Sequence, residues 1–288
     1  AATVSDTAGN TSDPANTFSV KIDKTQPKAA PTLSPAANAA NWNNTDVTVT
    51  WNWSDTGGSG TDPANCTTSA TSTGEGDITL NASCKDIAGN TGNASYTVHV
   101  DKTAPTIASS RAPIANLASW NNTDVTVSFT CSDGGSGIDS CGPTPQVVSA
   151  EGAGQSRTGA ALDKAGNSAS ATVTNINIDK TAPVTTATPN PAPNASGWNN
   201  TNVSVTLAAT DNLSGVAKTE YNLDNTGWTA YSVPISVSTE GIHTLLFHSM
   251  DKAGNQESDK TLTIRIDKTA PEAYNQFDPT SKDVLVFA

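Results

Sequence analysis

Asp101-Lys102-Thr103-Ala104-Pro105 is the stretch on which the reading of the fold turns. It returns as Asp179-Lys180-Thr181-Ala182-Pro183 and Asp267-Lys268-Thr269-Ala270-Pro271, with a near copy at Asp23-Lys24-Thr25-Gln26-Pro27. The copies begin 78, 78 and 88 residues apart. A second marker, Trp-Asn-Asn-Thr, begins at Trp42, Trp120 and Trp198, again 78 apart. A third, Asp-x-Ala-Gly-Asn, spans 6–10, 86–90, 163–167 and 251–255. Self-similarity at a fixed period marks a repeat protein, in which each repeat is one packing unit. Three complete units follow, 28–105, 106–183 and 184–271. Residues 1–27 read as the C-terminal strands of a preceding unit and 272–288 as the start of a following one, so the chain reads as part of a longer protein.

Between the markers, apolar residues alternate with polar ones, the period of a strand with one buried face. Val47, Val49, Trp51 and Trp53 form such a face in the first unit, and Val125, Val127, Phe129 and Cys131 in the second. Val203, Val205, Leu207 and Ala209 do the same in the third. Later strands carry Ile78, Leu80, Ala82 and Cys84, then Tyr96, Val98 and Val100; the third unit has Leu245, Phe247 and Ser249, then Leu262, Ile264 and Ile266. Phe18, Val20 and Ile22 predict a buried strand face before the first joint, and Val284-Val286 a strand near the end. Gly57-Gly58-Ser59-Gly60 reads as a loop. The third unit is ten residues longer and adds 221–231, a predicted hairpin turning near Asn225-Thr226-Gly227. No stretch has a helical period. The expected fold is all-β, a series of antiparallel sandwiches of immunoglobulin type. Short Pro-containing joints restrict bending, so an elongated rod is expected.

The chain carries a net charge of −12, which repels polyanions, so no nucleic-acid partner is expected. No apolar run is long enough to span a membrane. The four cysteines fall as close pairs within two units. Cys131 holds the place of a core Trp, and Cys131–Cys141 is predicted to clip the loop after its strand, while Cys66 is predicted to join Cys84 across two strands. Paired cysteines in each unit fit an oxidising, extracellular setting. No Ser or Cys nucleophile lies in a recognisable base motif, and close carboxylate pairs occur only in turns, so enzymatic activity is not expected.

The order Trp-Asn-Asn-Thr, inward strand, Asp-x-Ala-Gly-Asn, strand, Asp-Lys-Thr-Ala-Pro resembles the tandem bacterial immunoglobulin-like repeats of secreted and cell-surface proteins. Residues 221–255, with Thr226-Gly227-Trp228-Thr229-Ala230-Tyr231 and Glu240-Gly241-Ile242-His243-Thr244, resemble the repeat type named after a leptospiral outer-membrane protein. The resemblance implies a secreted, surface-bound stalk or adhesin shaft whose immediate partners are neighbouring domains of its own chain. It also implies calcium at the joints, with Asp23, Asp101, Asp179 and Asp267 from the closing strands, and Asp86, Asp163 and Asp251 from the turns, as ligands.

Two readings of these aspartates stay open, because Asp also opens turns by accepting its own downstream N–H groups. The lysine after each joint Asp is placed to pair with it and weaken a cation site. Trp42, Trp120 and Trp198 sit at a fixed place in every unit, which points to packing. Trp228 and Tyr231, in the added hairpin, are the candidates for contact with a glycan or a surface protein. His99, His243 and His248 do not form a metal set and read as ordinary strand residues. Sequons at Asn43, Asn121 and Asn199 follow from an Asn- and Thr-rich composition. Beside the spacer reading stand two others: a binding module acting through the third unit, and a subunit that joins like subunits end to end by strand addition.

Overall fold

The computed structural model describes residues 2–13, 18–56, 58–272, 274–276 and 285–287. Its regular elements are all strands. The first repeat holds β1 (Thr32–Ser34), β2 (Thr48–Thr50), β3 (Thr61–Cys66), β4 (Ser69–Thr71), β5 (Gly76–Asp86) and β6 (Thr91–Val100). The second holds β7 (Thr106–Ala112), β8 (Val125–Ser132), β9 (Ile138–Gly142), β10 (Gln146–Val148), β11 (Gly152–Asp163) and β12 (Ser168–Ile178). The third holds β13 (Val184–Asn190), β14 (Val203–Thr210), β15 (Val216–Leu223), β16 (Thr229–Ala230), β17 (Ile235–Val237), β18 (Gly241–Asp251) and β19 (Lys260–Ile266). A last pair, β20 (Tyr274–Gln276) and β21 (Leu285–Phe287), is antiparallel.

The sheets are ordered β1-β2-β4 and β3-β5-β6, then β10-β8-β7 and β12-β11-β9, then β13-β14-β17 and β16-β15-β18-β19. Lettered A, B, C, E, F, G in chain order, each repeat places A, B and E in one sheet and C, F and G in the other. That partition defines the immunoglobulin-like sandwich. In the third repeat β16 extends the second sheet as an extra edge strand, which accounts for the added hairpin. Asp224 and Asn225 take positive φ at its turn, the conformation short polar side chains tolerate best.

The chain divides into two compact units, one of Ala1–Ala108, Thr130–Gly142 and Ala160–Ser170, the other of Ser109–Phe129, Pro143–Gly159 and Ala171–Ala288. In the first, Val47, Val49 and Trp51 meet Ala82, Val98 and Val100 in one core. In the second, Val203, Val205 and Leu207 pack with Leu245, Phe247, Ile264 and Ile266, with Tyr231 against the rim. The same unit buries Val125, Val127 and Phe129 of β8. A side chain at Gly159 would put its Cβ 2.5 Å from the Phe129 ring, so only glycine lets the strand lie so close.

Each Trp-Asn-Asn-Thr marker now has a mechanical meaning. The Asn after the Trp is buried: Asn43 forms a parallel bridge to Val100 and donates its side-chain amide to the Pro35 and Ala36 carbonyls. Asn121 and Asn199 bridge to Ile178 and Ile266 in the same way. Trp42, Trp120 and Trp198 are half-buried.

Two expectations need correction. Phe18, Val20 and Ile22 are exposed and lie in no strand, because among the described residues no neighbour offers them a ladder. The first inward strand is shorter than 47–53: Asn52 turns to φ 45°, and its side-chain amide, donating to Ala30 O, replaces a ladder bond. Gly57 of the predicted loop and Val284 of the predicted terminal strand lie outside the described residues.

The three histidines pair separately with carboxylates, His99 with Asp77, His243 with Asp224, and His248 with Asp259 and Glu220. His243 is buried, its Nδ1 2.7 Å from Asp224 Oδ2 and its Nε2 3.0 Å from the Thr239 carbonyl oxygen. The Asp224 bond raises the His243 pKa against the opposing effect of burial. A raised folded-state pKa contributes stability that is complete below the unfolded value of about 6.5 and lost as pH climbs through the folded one. Calorimetry should therefore show the third repeat losing stability as pH rises above about 6.5. Asp224→Asn should flatten that slope; an unchanged slope would contradict the pairing.

Candidate cation site at the repeat joints

At the first three joints the aspartate, Asp23, Asp101 or Asp179, reaches into a socket built by the repeat that follows. Asp101 donates its own N–H to Asn121's counterpart in the first repeat, the Asn43 carbonyl, which fixes the backbone at the end of β6. Its carboxylate then faces both ways. Oδ1 accepts the Thr103 N–H at 3.1 Å, and Oδ2 accepts the Ser136 N–H at 2.6 Å. Asp23 and Asp179 repeat this with the N–H groups of Ser59 and Ser214, at 3.0 and 2.9 Å.

The socket loop is shaped by a second aspartate. Asp133 Oδ2 accepts the N–H groups of Gly135 and Gly137, and Asp211 Oδ2 those of Leu213 and Gly215. In the first repeat Asp55 Oδ2 accepts the Gly60 N–H. The third aspartate opens the Asp-x-Ala-Gly-Asn turn. Asp163 accepts from the Gly166 and Asn167 amides and from the Asn167 side chain, which also donates to the Asp101 carbonyl at 2.9 Å. Asn90 and Asn255 reach the Asp23 and Asp179 carbonyls likewise.

Three carboxylates therefore converge at each of three joints: Asp23 with Asp55 and Asp86, Asp101 with Asp133 and Asp163, and Asp179 with Asp211 and Asp251. In each set, oxygens from all three lie within 4.8 Å of one another. Asp86, Asp101, Asp163, Asp179 and Asp251 are buried. Two negative charges at that distance repel by about 3 kcal/mol at an effective dielectric near 20. Burial, the largest single influence, pushes the Asp101 carboxyl up, but the hydroxyl and amide of Ser136 and the Thr103 amide outweigh it and hold the group below its ordinary value. Asp101 thus stays ionised, and a hard divalent cation liganded by oxygen would relieve the repulsion among the carboxylates.

The structure brings together six of the seven aspartates singled out from the sequence. Asp267 is exposed and joins no such set among the described residues. Its carboxylate accepts the Thr269 N–H, as at the other joints. Sequence reasoning missed Asp55, Asp133 and Asp211. Their signal was present: they too recur 78 residues apart, each shortly before Ser59-Gly60, Ser136-Gly137 or Ser214-Gly215.

The expected pairing of each joint lysine with its own aspartate is corrected. Lys102 Nζ bonds Asp46 Oδ1 at 2.7 Å, Lys180 bonds Asp124, and Lys268 bonds Asn202 at 2.8 Å. The next residue, threonine, is tied to a glutamate: Thr103 to Glu75, Thr181 to Glu151 and Thr269 to Glu240. The lysine and threonine bind backward while the aspartate between strand and linker reaches forward, so the lysine charge is drawn away from the cluster. A further tie runs from Asn38 to the Lys164 carbonyl at 2.7 Å, and from Asn116 to the Lys252 carbonyl at 2.8 Å.

The two sugar-contact candidates part company. Trp228 is 42 % exposed and lies against His248 with tilted rings whose centroids are 4.1 Å apart, whereas Tyr231 packs on the third repeat's core.

No protein-family model matches the chain, and no curated protein matches it. Among solved structures it is similar to a tandem repeat from the extending region of a large adhesion protein, at 18% identity, covering 93% of this chain and 80% of that one, with a TM-score of 0.30. It is also similar to part of a 1.5-MDa bacterial ice-binding adhesin, at 16% identity over 84% of this chain and 100% of that one, TM-score 0.32. A third likeness is to protocadherin gamma B2 cadherin domains 1–5, at 12% identity over 85% of this chain and 61% of that one, TM-score 0.30. The immunoglobulin-like architecture rests on the strand order given above.

Gly135 tests the socket. A Cβ there would lie 2.5 Å from the Asp101 carboxylate, while one at Gly134 would meet nothing within 4 Å. Gly135→Ala is expected to expel Asp101 from the Ser136 amide, with that amide's exchange protection lost and the sandwich strands unaffected. Gly134→Ala should be silent. Equal behaviour of the two variants would contradict the geometry.

Proposed function

We propose that this chain is a non-enzymatic spacer from a large secreted or surface-anchored bacterial protein of adhesin type, built of tandem bacterial immunoglobulin-like repeats at 28–105, 106–183 and 184–271. The third is of the leptospiral outer-membrane-protein type. Calcium at the joints holds each repeat to the next and makes the segment a stiff rod that displays other domains away from the cell surface. The observation that carries this reading is the recurrence of one three-carboxylate socket at three joints, each time joining a joint Asp to the loop of the repeat that follows. Nothing in packing a single sandwich asks for three carboxylates at its end, whereas a cation bridge between consecutive sandwiches does. The two disulfides suit a position outside the cell.

Calcium titration by isothermal calorimetry tests this. The expected result is about three sites per chain, with affinities in the range about 10⁻⁴ to 10⁻³ M of extracellular modules. Asp133→Asn should remove one site and leave the others. Heats no larger than buffer dilution at millimolar calcium would overturn the calcium reading.

A further inference from the structure

The Asp101 and Asp179 joints use the same socket but secure it by different chemistry. In the second repeat the socket loop is closed by a Cys131–Cys141 disulfide, with the two residues 10 positions apart. Cys131 lies near the end of β8, and Cys141 lies in β9 opposite Ala161 of β11. Every loop group that seats Asp101 falls inside that ring: Asp133, Gly135, Ser136 and Gly137. Two further bonds fasten the ring to the Asp163 turn, the Lys164 N–H to the Gly137 carbonyl at 2.9 Å and the Ala165 N–H to Ser136 Oγ at 3.1 Å.

In the third repeat, Ala209 and Thr219 stand 78 residues after Cys131 and Cys141. Thr219 Oγ1 is 2.7 Å from Ser249 Oγ, which is 2.6 Å from Thr185 Oγ1. Glu257, buried beneath them, accepts the N–H groups of Thr185 and Ser249 and pairs with Lys260 at 2.8 Å. The counterpart of Cys141 thus belongs to a hydrogen-bond network, no covalent link joins β14 to β15, and the matching loop ties, Lys252 N–H to the Gly215 carbonyl and Ala253 N–H to Ser214 Oγ, are kept.

We propose that Cys131–Cys141 is a redox-sensitive brace of the Asp101 joint. Its reduction releases the socket loop while the strands stay paired, and the Asp179 joint is indifferent to redox state. Both cysteines are only partly buried, so a small dithiol can reach them. The dithiol supplies two electrons and two protons: the Sγ–Sγ bond breaks, each sulfur takes a proton, and the reductant closes to its own cyclic disulfide. Once open, residues 133–137 are held by loop bonds alone, and the restriction that closure placed on the chain is gone. The sandwich keeps its buried Val125, Val127, Phe129, Ile176 and Ile178 in either state.

The brace acts on hydrogen bonds and needs no cation, so it is tested in chelator, where the outcome is independent of the calcium titration. Amide hydrogen exchange is followed on the full chain, oxidised and after dithiothreitol. The expected result is exchange about tenfold faster or more at Ser136 and Gly137, with Ser214, Gly215 and the β11–β12 ladder unchanged. The double variant Cys131→Ala/Cys141→Thr, which leaves Cys66–Cys84 intact, should show the same pattern without reductant. Unchanged exchange at Ser136 in that variant would overturn the proposal. So would equal acceleration at Ser214, or loss of protection throughout β11 and β12, which would make the bond a brace of the sandwich itself.

Discussion

One hydrogen-bonded carboxylate does the joining. Asp101 and Asp179, each at the end of a closing strand, have the N–H fixed by the Asn of Trp-Asn-Asn-Thr, one carboxylate oxygen on the threonine two residues on, and the other on a serine amide of the next repeat. Moving either aspartate by one position would break three bonds at once. The lysine and threonine that follow are anchored to the repeat just finished, so the linker is bonded on both sides. Both compact units of the chain have such a joint inside them, around Asp101 in one and Asp179 in the other.

The three sockets also show how one geometry can be reached from different residues. A disulfide closes the loop in the second repeat; in the third, the counterpart of Cys141 is Thr219, which belongs to a Thr-Ser-Glu network. In the first, Cys66–Cys84 links β3 to β5, beyond the Asp55–Gly60 loop. Each solution involves a residue within β9 or its counterpart: Cys66 in β3, Cys141 in β9 and Thr219 in β15. Cysteine permits a bond that closes a short ring. Threonine permits only a hydrogen bond, here to Ser249, whose N–H Glu257 accepts. Burial alone would push Glu257 up, but its bonds to Lys260 and Thr185 hold it ionised.

Most of the fold was legible in the sequence because period-two alternation and the recurring markers are local signals. The inward faces of β5, β8, β14 and β18, the added hairpin and the places of the turns all follow from them. What was not legible depends on partners distant in sequence. Phe18, Val20 and Ile22 alternate like a strand yet stay exposed, since alternation describes a face and not its neighbour. Asn52 breaks the first inward strand through a side-chain bond no pattern encodes. At the site, the closing-strand and turn aspartates stood out because they belong to repeated motifs. Asp55, Asp133 and Asp211 lie in loops whose flanking residues differ, and only the common 78-residue spacing linked them. The lysine beside each joint Asp suggested an ion pair, but strand geometry directs it to Asp46 or Asp124 instead.

Calcium in the carboxylate sockets, as proposed, would hold consecutive repeats in a fixed relation. Small-angle X-ray scattering of the full chain, first in millimolar calcium and then in chelator, tests it most directly. The account predicts a long maximum dimension with a narrow distance distribution in calcium, and a shorter or broadened one in chelator. The same long profile in both conditions would contradict it, and would mean that proline and packing alone set the joints.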